Sequence, residues 1–173
     1  MDEIDYALNI GEKLLELISS CKKSVRGFRS RAREMPQMIQ QLGLIPSLMF
    51  LLSKIDDKIL ITSIQYFVKN KEIEDNKKEE LCKEIENDGY TSYLVVNFTW
   101  IKLKLDDVQS IDKCFNLTDF IDCIKKEYIS TLKILKNDKH RLSKIEDSAL
   151  NFSIELKKIV DGIYGGEVDR RSS

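Results

Sequence analysis

Residues 4–35, IDYALNIGEKLLELISSCKKSVRGFRSRAREM, decide how the chain is read. Apolar or small side chains recur at Ile4, Ala7, Leu8, Gly11, Leu14, Leu15, Ile18, Cys21, Val25, Phe28 and Ala32, the three-and-four spacing that lines one face of an α-helix. The spacing predicts one long helix that stops before Pro36, because the residue preceding a proline, here Met35, is pushed out of helical geometry. An all-α fold is therefore expected.

Further along, Pro36 suits the first turn of a short helix ending near Gly43, and Pro46 opens the next, through Leu48, Leu51, Leu52 and Ile55. Ile59–Val68 and Asp75–Glu86 read as helices, the second strongly charged and closed by the Asp88-Gly89 turn. Tyr93–Leu105 carries two patterns. Ile101, Leu103 and Leu105 alternate with lysines as in a strand, whereas Leu94, Phe98, Ile101 and Leu105 keep helical spacing; a lone strand would have no partner, so a helix is expected. Thr118 or Asn116 is expected to cap a helix with the seam Leu117, Phe120, Ile121, Ile124, Tyr128, Leu132 and Leu135. The last helix has the seam Leu142, Ile145, Ala149, Phe152, Leu156, Ile159 and Ile163. The expected architecture is a single-domain bundle of six or seven helices over residues 1–164, with a flexible tail at 165–173.

Composition agrees with that reading. A chain of 173 residues that is 42% hydrophobic can bury one full core, and seven glycines with two prolines are too few for an all-β sandwich or a phosphate-cradling loop. The longest apolar run, Leu42–Leu52, contains Pro46 and falls short of the roughly 20 residues of a membrane span. With an acidic N-terminus unlike a secretory signal, the expectation is a soluble cytoplasmic protein without membrane contact. Cys21, Cys82, Cys114 and Cys123 have no CxxC spacing and a single histidine, His140, to support them; they are expected to be free, buried and without metal.

Catalysis leaves traces in residue types, and few are present. The sequence offers no nucleophile with its base, no metal cluster and no cofactor cradle, so no catalytic residue, metal or cofactor is expected. His140, between Lys139 and Arg141, reads as an exposed or capping histidine at a helix junction. The eight acids between Glu72 and Asp88, set against Lys77, Lys78 and Lys83, read as a solvated face.

The sharp feature is positive and local. The formal net charge is only -1, yet Lys22, Lys23, Arg26, Arg29, Arg31 and Arg33 follow one another with no acid between Glu16 and Glu34. Four of the seven arginines fall within these residues although lysine outnumbers arginine three to one. Lys22, Arg26, Arg29 and Arg33 are spaced four, three and four, which sets them on one stripe about 100° around from the seam Cys21, Val25, Phe28 and Ala32. Such a stripe, about 16 Å long, can follow successive phosphates, which arginine grips bidentately. Pairing with acids of the same bundle or of a protein partner is the alternative use of such charges.

The segment FRSRAREMPQMIQQLGLIPSLMFLLSK, Phe28–Lys54, resembles the signature region of the small helical subunit of type III-B CRISPR effector (Cmr) complexes. The matching positions are Arg29, Arg31, Arg33, Pro36, Met38, Ile39, Gln40, Gln41, Gly43, Leu44, Phe50 and Lys54; Pro46 departs from the pattern. A second likeness, to that family's C-terminal helix, rests on Ala149, Leu150, Phe152, Leu156, Lys157 and Lys158, with Glu155 where an aromatic residue is usual. The resemblance implies a non-catalytic subunit that stacks head to tail in several copies beside other effector subunits and presents positive surface to the backbone of guide and target RNA. It assigns phosphate contact to Arg26, Arg29 and Arg33, with Lys22, Arg31 and Lys54 in support. The competing expectation is a helical protein-interaction module whose basic stripe docks on an acidic partner without nucleic acid.

Overall fold

Asp2 opens the first helix with a reciprocal cap. Its carboxylate accepts the Asp5 N–H at 2.8 Å while the Asp5 carboxylate accepts the Asp2 N–H at 3.4 Å, and α1 (Glu3–Cys21) follows. The computed structural model describes the backbone of residues 1–172 and the side chains of residues 1–164; the tail expected at 165–173 lies outside the residues whose side chains are described.

The long first helix of the sequence reading is in fact two helices. At Lys22 the backbone turns left-handed, with φ 55°, and its N–H closes α1 on the Ile18 carbonyl at 2.8 Å. The Ser24 N–H is drawn to the Glu86 carboxylate at 2.7 Å, and α2 (Arg26–Leu42) starts afresh. Val25 and Phe28 stay buried across the break, so the apolar periodicity runs through a bend that it does not report.

Pro36 likewise lies inside α2 rather than at a helix start. Ala32, Met35 and Ile39 around it are at most 3% exposed, and their burial offsets the roughly 3 kcal/mol that an interior proline costs. Gly43, at φ 90°, then ends α2 and leads into α3 (Leu44–Leu52), with Pro46 in its first turn as expected.

α4 (Asp57–Phe67), α5 (Asp75–Asn87) and α6 (Tyr90–Lys104) fall where the sequence places them. A short α7 (Gln109–Cys114), not anticipated, precedes α8 (Phe120–Asn137) and α9 (Lys139–Ser172). The residue before α8 is Asp119, not Thr118 or Asn116, and it makes no side-chain cap. Nine helices and no strand therefore stand among the described residues, somewhat more helices than expected.

α6 is the central rod. Apolar on nearly every side, it buries Tyr93, Leu94, Val95, Val96, Phe98, Trp100 and Ile101 between α2, α3, α4, α5 and α9. Trp100 stacks on Tyr6 of α1 and Phe152 of α9 with ring centroids 5.5 and 5.2 Å apart, and Phe98 stacks on Tyr128 of α8 at 4.1 Å. Two charged groups are built into this core. Lys102, 1% exposed, is satisfied by Asp107 at 2.9 Å, the Ser110 hydroxyl at 2.9 Å and Glu127 at 3.3 Å, tying α6 to α7 and α8. Glu84 of α5 is buried and accepts the Ser92 N–H and hydroxyl at 3.0 and 2.6 Å, capping the first turn of α6.

The cysteines are a correction: none is free among the described residues. Cys21 at the end of α1 is joined to Cys82 of α5, and Cys114 of α7 to Cys123 of α8, with Cα separations of 6.5 and 5.5 Å. The bend after Cys21 and the packing of α5 against α1 bring the first pair together across 61 residues of sequence.

Candidate nucleic-acid interface

α2 divides the arginines of the basic run between its two flanks. Its buried seam, Phe28, Ala32, Met35 and Ile39, packs inward, and Arg26, Arg29 and Arg33 lie on one flank, as their spacing requires. That flank faces α9. Arg29 and Arg33 both reach Asp161 there, at 2.9 and 3.2 Å, and the Arg29 guanidinium also lies 4.0 Å from the centre of the Tyr164 ring. One carboxylate thus serves two guanidiniums. Arg29 is 22% exposed, whereas Arg33 keeps 52% of its side chain in solvent. Arg26 is exposed, with no carboxylate within 4 Å among the described residues.

Arg31 points to the opposite flank. It pairs with Glu34 at 3.3 Å, stacks 4.1 Å from the Tyr90 ring centre, and buries an Nε without a hydrogen-bond partner. Tyr90 in turn meets Phe50 edge to face at 6.0 Å, and Lys54 lies 5.8 Å from the Phe50 ring centre. Arg31 and Lys54 therefore belong to an aromatic cluster at the α3 and α6 edge, apart from the α9 flank.

The break after α1 also takes Lys22 off the stripe. Lys22 and Lys23 sit in the bend, Lys22 exposed and Lys23 half-buried; the Ser24 N–H, and after it the charges of Lys23 and Arg26, hold the Glu86 carboxyl below its usual range. Of the six expected contact residues, the fold groups Arg26, Arg29 and Arg33 on one flank and leaves the other three apart. Asp161 and Tyr164, which shape that flank, were not singled out in the sequence; an acid 132 residues from Arg29 gives no local signal.

The acidic stretch is only partly a solvated face. Glu72, Glu74, Asp75, Glu79 and Glu80 are exposed, but Glu84 and Glu86 bind backbone and side-chain donors of the fold. His140 is exposed in the first turn of α9. A cleft of about 960 Å³ opens between α1, the connection from α4 to α5, and α6. Lys13 lies within it and donates to the Tyr66 and Phe67 carbonyls at 3.1 and 2.8 Å and to Asn70, closing the C-terminus of α4. Among the described residues no group of three His, Cys, Asp or Glu could hold a metal ion, and no helix is long and apolar enough to cross a membrane.

Comparison with known proteins gives a family. Residues 5–103, α1 through nearly all of α6, match the family model described as CRISPR-associated protein (Cas_Cmr5). A protein of Saccharolobus solfataricus described as CRISPR system CMR subunit Cmr5 is 29% identical over 152 residues, covering 78% of this chain and 92% of the relative. No solved structure matches.

Proposed function

Because the chain belongs to the Cmr5 family of CRISPR-associated proteins, we propose that it is the small, non-catalytic subunit of a type III-B effector complex and lies against the RNA backbone through the α9-facing flank of α2. The observation that supports this reading is the unequal use of Asp161. It orients Arg29 and Arg33 together, yet leaves half of the Arg33 side chain in solvent beside an exposed Arg26. Arg29 is the positioning residue of the group, and Arg26 and Arg33 are the ones that reach phosphate. Contacts of this kind carry no base readout; guide and target RNA pair with each other and supply the sequence.

Several copies stack head to tail in this reading, which requires two different complementary surfaces on each copy. α1 supplies one: Ile4, Leu8 and Leu15, all about half exposed, line a stripe beside α9. The exposed acids of α5 are a second candidate surface.

The test is Arg26→Gln with Arg33→Gln. RNA capture weakens, and the slope of log affinity against log salt becomes shallower by about 1.4, two phosphates on a single strand. An unchanged slope with lost assembly, read by sedimentation, assigns the flank to an acidic protein partner instead.

A further inference from the structure

The exposed face of α8 and the start of α9 together hold more unneutralised positive charge than α2 does. From Lys126 to Lys144 six bases, Lys126, Lys133, Lys136, Lys139, Arg141 and Lys144, face two acids, Glu127 and Asp138. Glu127 is engaged by the buried Lys102. Asp138 caps the Arg141 N–H at 3.0 Å and touches the Arg141 guanidinium only at 3.9 Å. All six bases are exposed, and the five lysines have no carboxylate within 4 Å among the described residues.

Their placement is ordered. Lys126, Lys133 and Lys136 share the α8 face opposite the buried Ile124, Tyr128, Leu132 and Leu135, with Ile129 among them, and cover about 15 Å of rise. Lys136 at the end of α8 suits the helix dipole, but Lys139 and Arg141 do not suit the start of α9. That first turn carries no acid and stands at a helix N-terminus, where the helix dipole disfavours a cation. Folding alone therefore disfavours these charges where they stand.

We infer that the lysine face of α8, continued by the first turns of α9, is a second RNA-binding surface, which takes the phosphodiester backbone of a single strand without reading bases. The inference rests on the RNA-contact reading above and lies outside the region, residues 5–103, that the family model covers. The chemistry favours a polyphosphate over a protein partner. Cores of protein interfaces are depleted in lysine and rich in aromatic residues and arginine, whereas this surface is five lysines with one arginine and no aromatic side chain exposed among them. Lysines on flexible stems release counterions from a polyanion whatever its sequence.

The experiment uses the full chain and a fluorescein-labelled single-stranded RNA of mixed sequence, titrated at several salt concentrations. Lys126→Gln, Lys133→Gln, Lys136→Gln and Lys139→Gln are combined in one variant, with circular dichroism to confirm the helices. The expected result is a log affinity against log salt slope shallower by about 2.8, four phosphates, in both the wild-type and the Arg26→Gln, Arg33→Gln backgrounds. A four-lysine variant with the parent slope overturns the inference whatever the α2 variant does, and a loss confined to the α2 variant leaves the first reading standing alone. Absence of RNA binding by the unaltered chain at low ionic strength also overturns it, as does a four-lysine variant that loses self-association but not RNA.

Discussion

Gly27 and Gly89 meet backbone to backbone: a β-carbon on Gly89 would stand 2.8 Å from the Gly27 carbonyl carbon and 2.5 Å from the Phe28 nitrogen. This contact seats the first turn of α2 on the turn between α5 and α6, and so fixes the direction in which the arginines leave the bend after α1.

Gly89→Ala is therefore expected to destabilise the protein by roughly 1–3 kcal/mol, since it adds a clash to a left-handed backbone with φ 68°. Urea denaturation measures it. A midpoint equal to that of the unaltered chain would mean that the two turns are not pressed together.

Burial pushes the Glu84 carboxyl up to about 7 from its usual 4.5, against the opposing hydrogen bonds from Ser92. The folded state then binds a proton more tightly than the unfolded chain, so this group's contribution is full below about 4.5 and is lost as pH rises through about 7. Glu84→Gln keeps an acceptor for the Ser92 N–H and removes the titration. Its stability is expected to change less between pH 5 and 8 than that of the parent, by up to a few kcal/mol; thermal melts across that range decide, and parallel curves would refute the assignment.

Reducing the two disulfides frees loops of very different length. In the chain-entropy account, opening Cys21–Cys82, with 61 residues of separation, costs roughly 4 kcal/mol, and opening Cys114–Cys123, with nine, roughly 3 kcal/mol. Cys82→Ala is thus expected to lower the melting temperature more than Cys123→Ala under oxidising conditions. Equal melting with and without a thiol reductant would count against both bridges.

Asp161→Asn tests the partition of charge on α2. It removes the shared anion of Arg29 and Arg33, so RNA affinity at low salt is expected to rise and the salt slope to steepen by about 0.7, while stability falls by about 1 kcal/mol or less. Weaker RNA binding would instead show that the geometry Asp161 imposes matters more than the charge it cancels.

Much of the candidate interface was legible in the run from Lys22 to Arg33, because the register of Arg26, Arg29 and Arg33 follows from helical period alone. Lys22 was misplaced, since periodicity passes unbroken through a bend held by a hydrogen bond to Glu86, 62 residues away. Arg31 shares the run but not the flank. The lysines of α8 and α9 give no comparable signal for the converse reason: they are seven and three residues apart along α8 and divided between two helices.

By itself the sequence determined the helical class, the apolar rod at Tyr93–Leu105 and the arginine register, because these depend on the order of side chains along one helix. The tertiary structure alone decided where the first helix breaks, why Pro36 is tolerated, which cysteines join, and that Asp161 cancels part of the arginine charge. Each of these turns on contacts between residues distant in sequence, whose energies of burial and pairing outweigh local preference once the chain is packed.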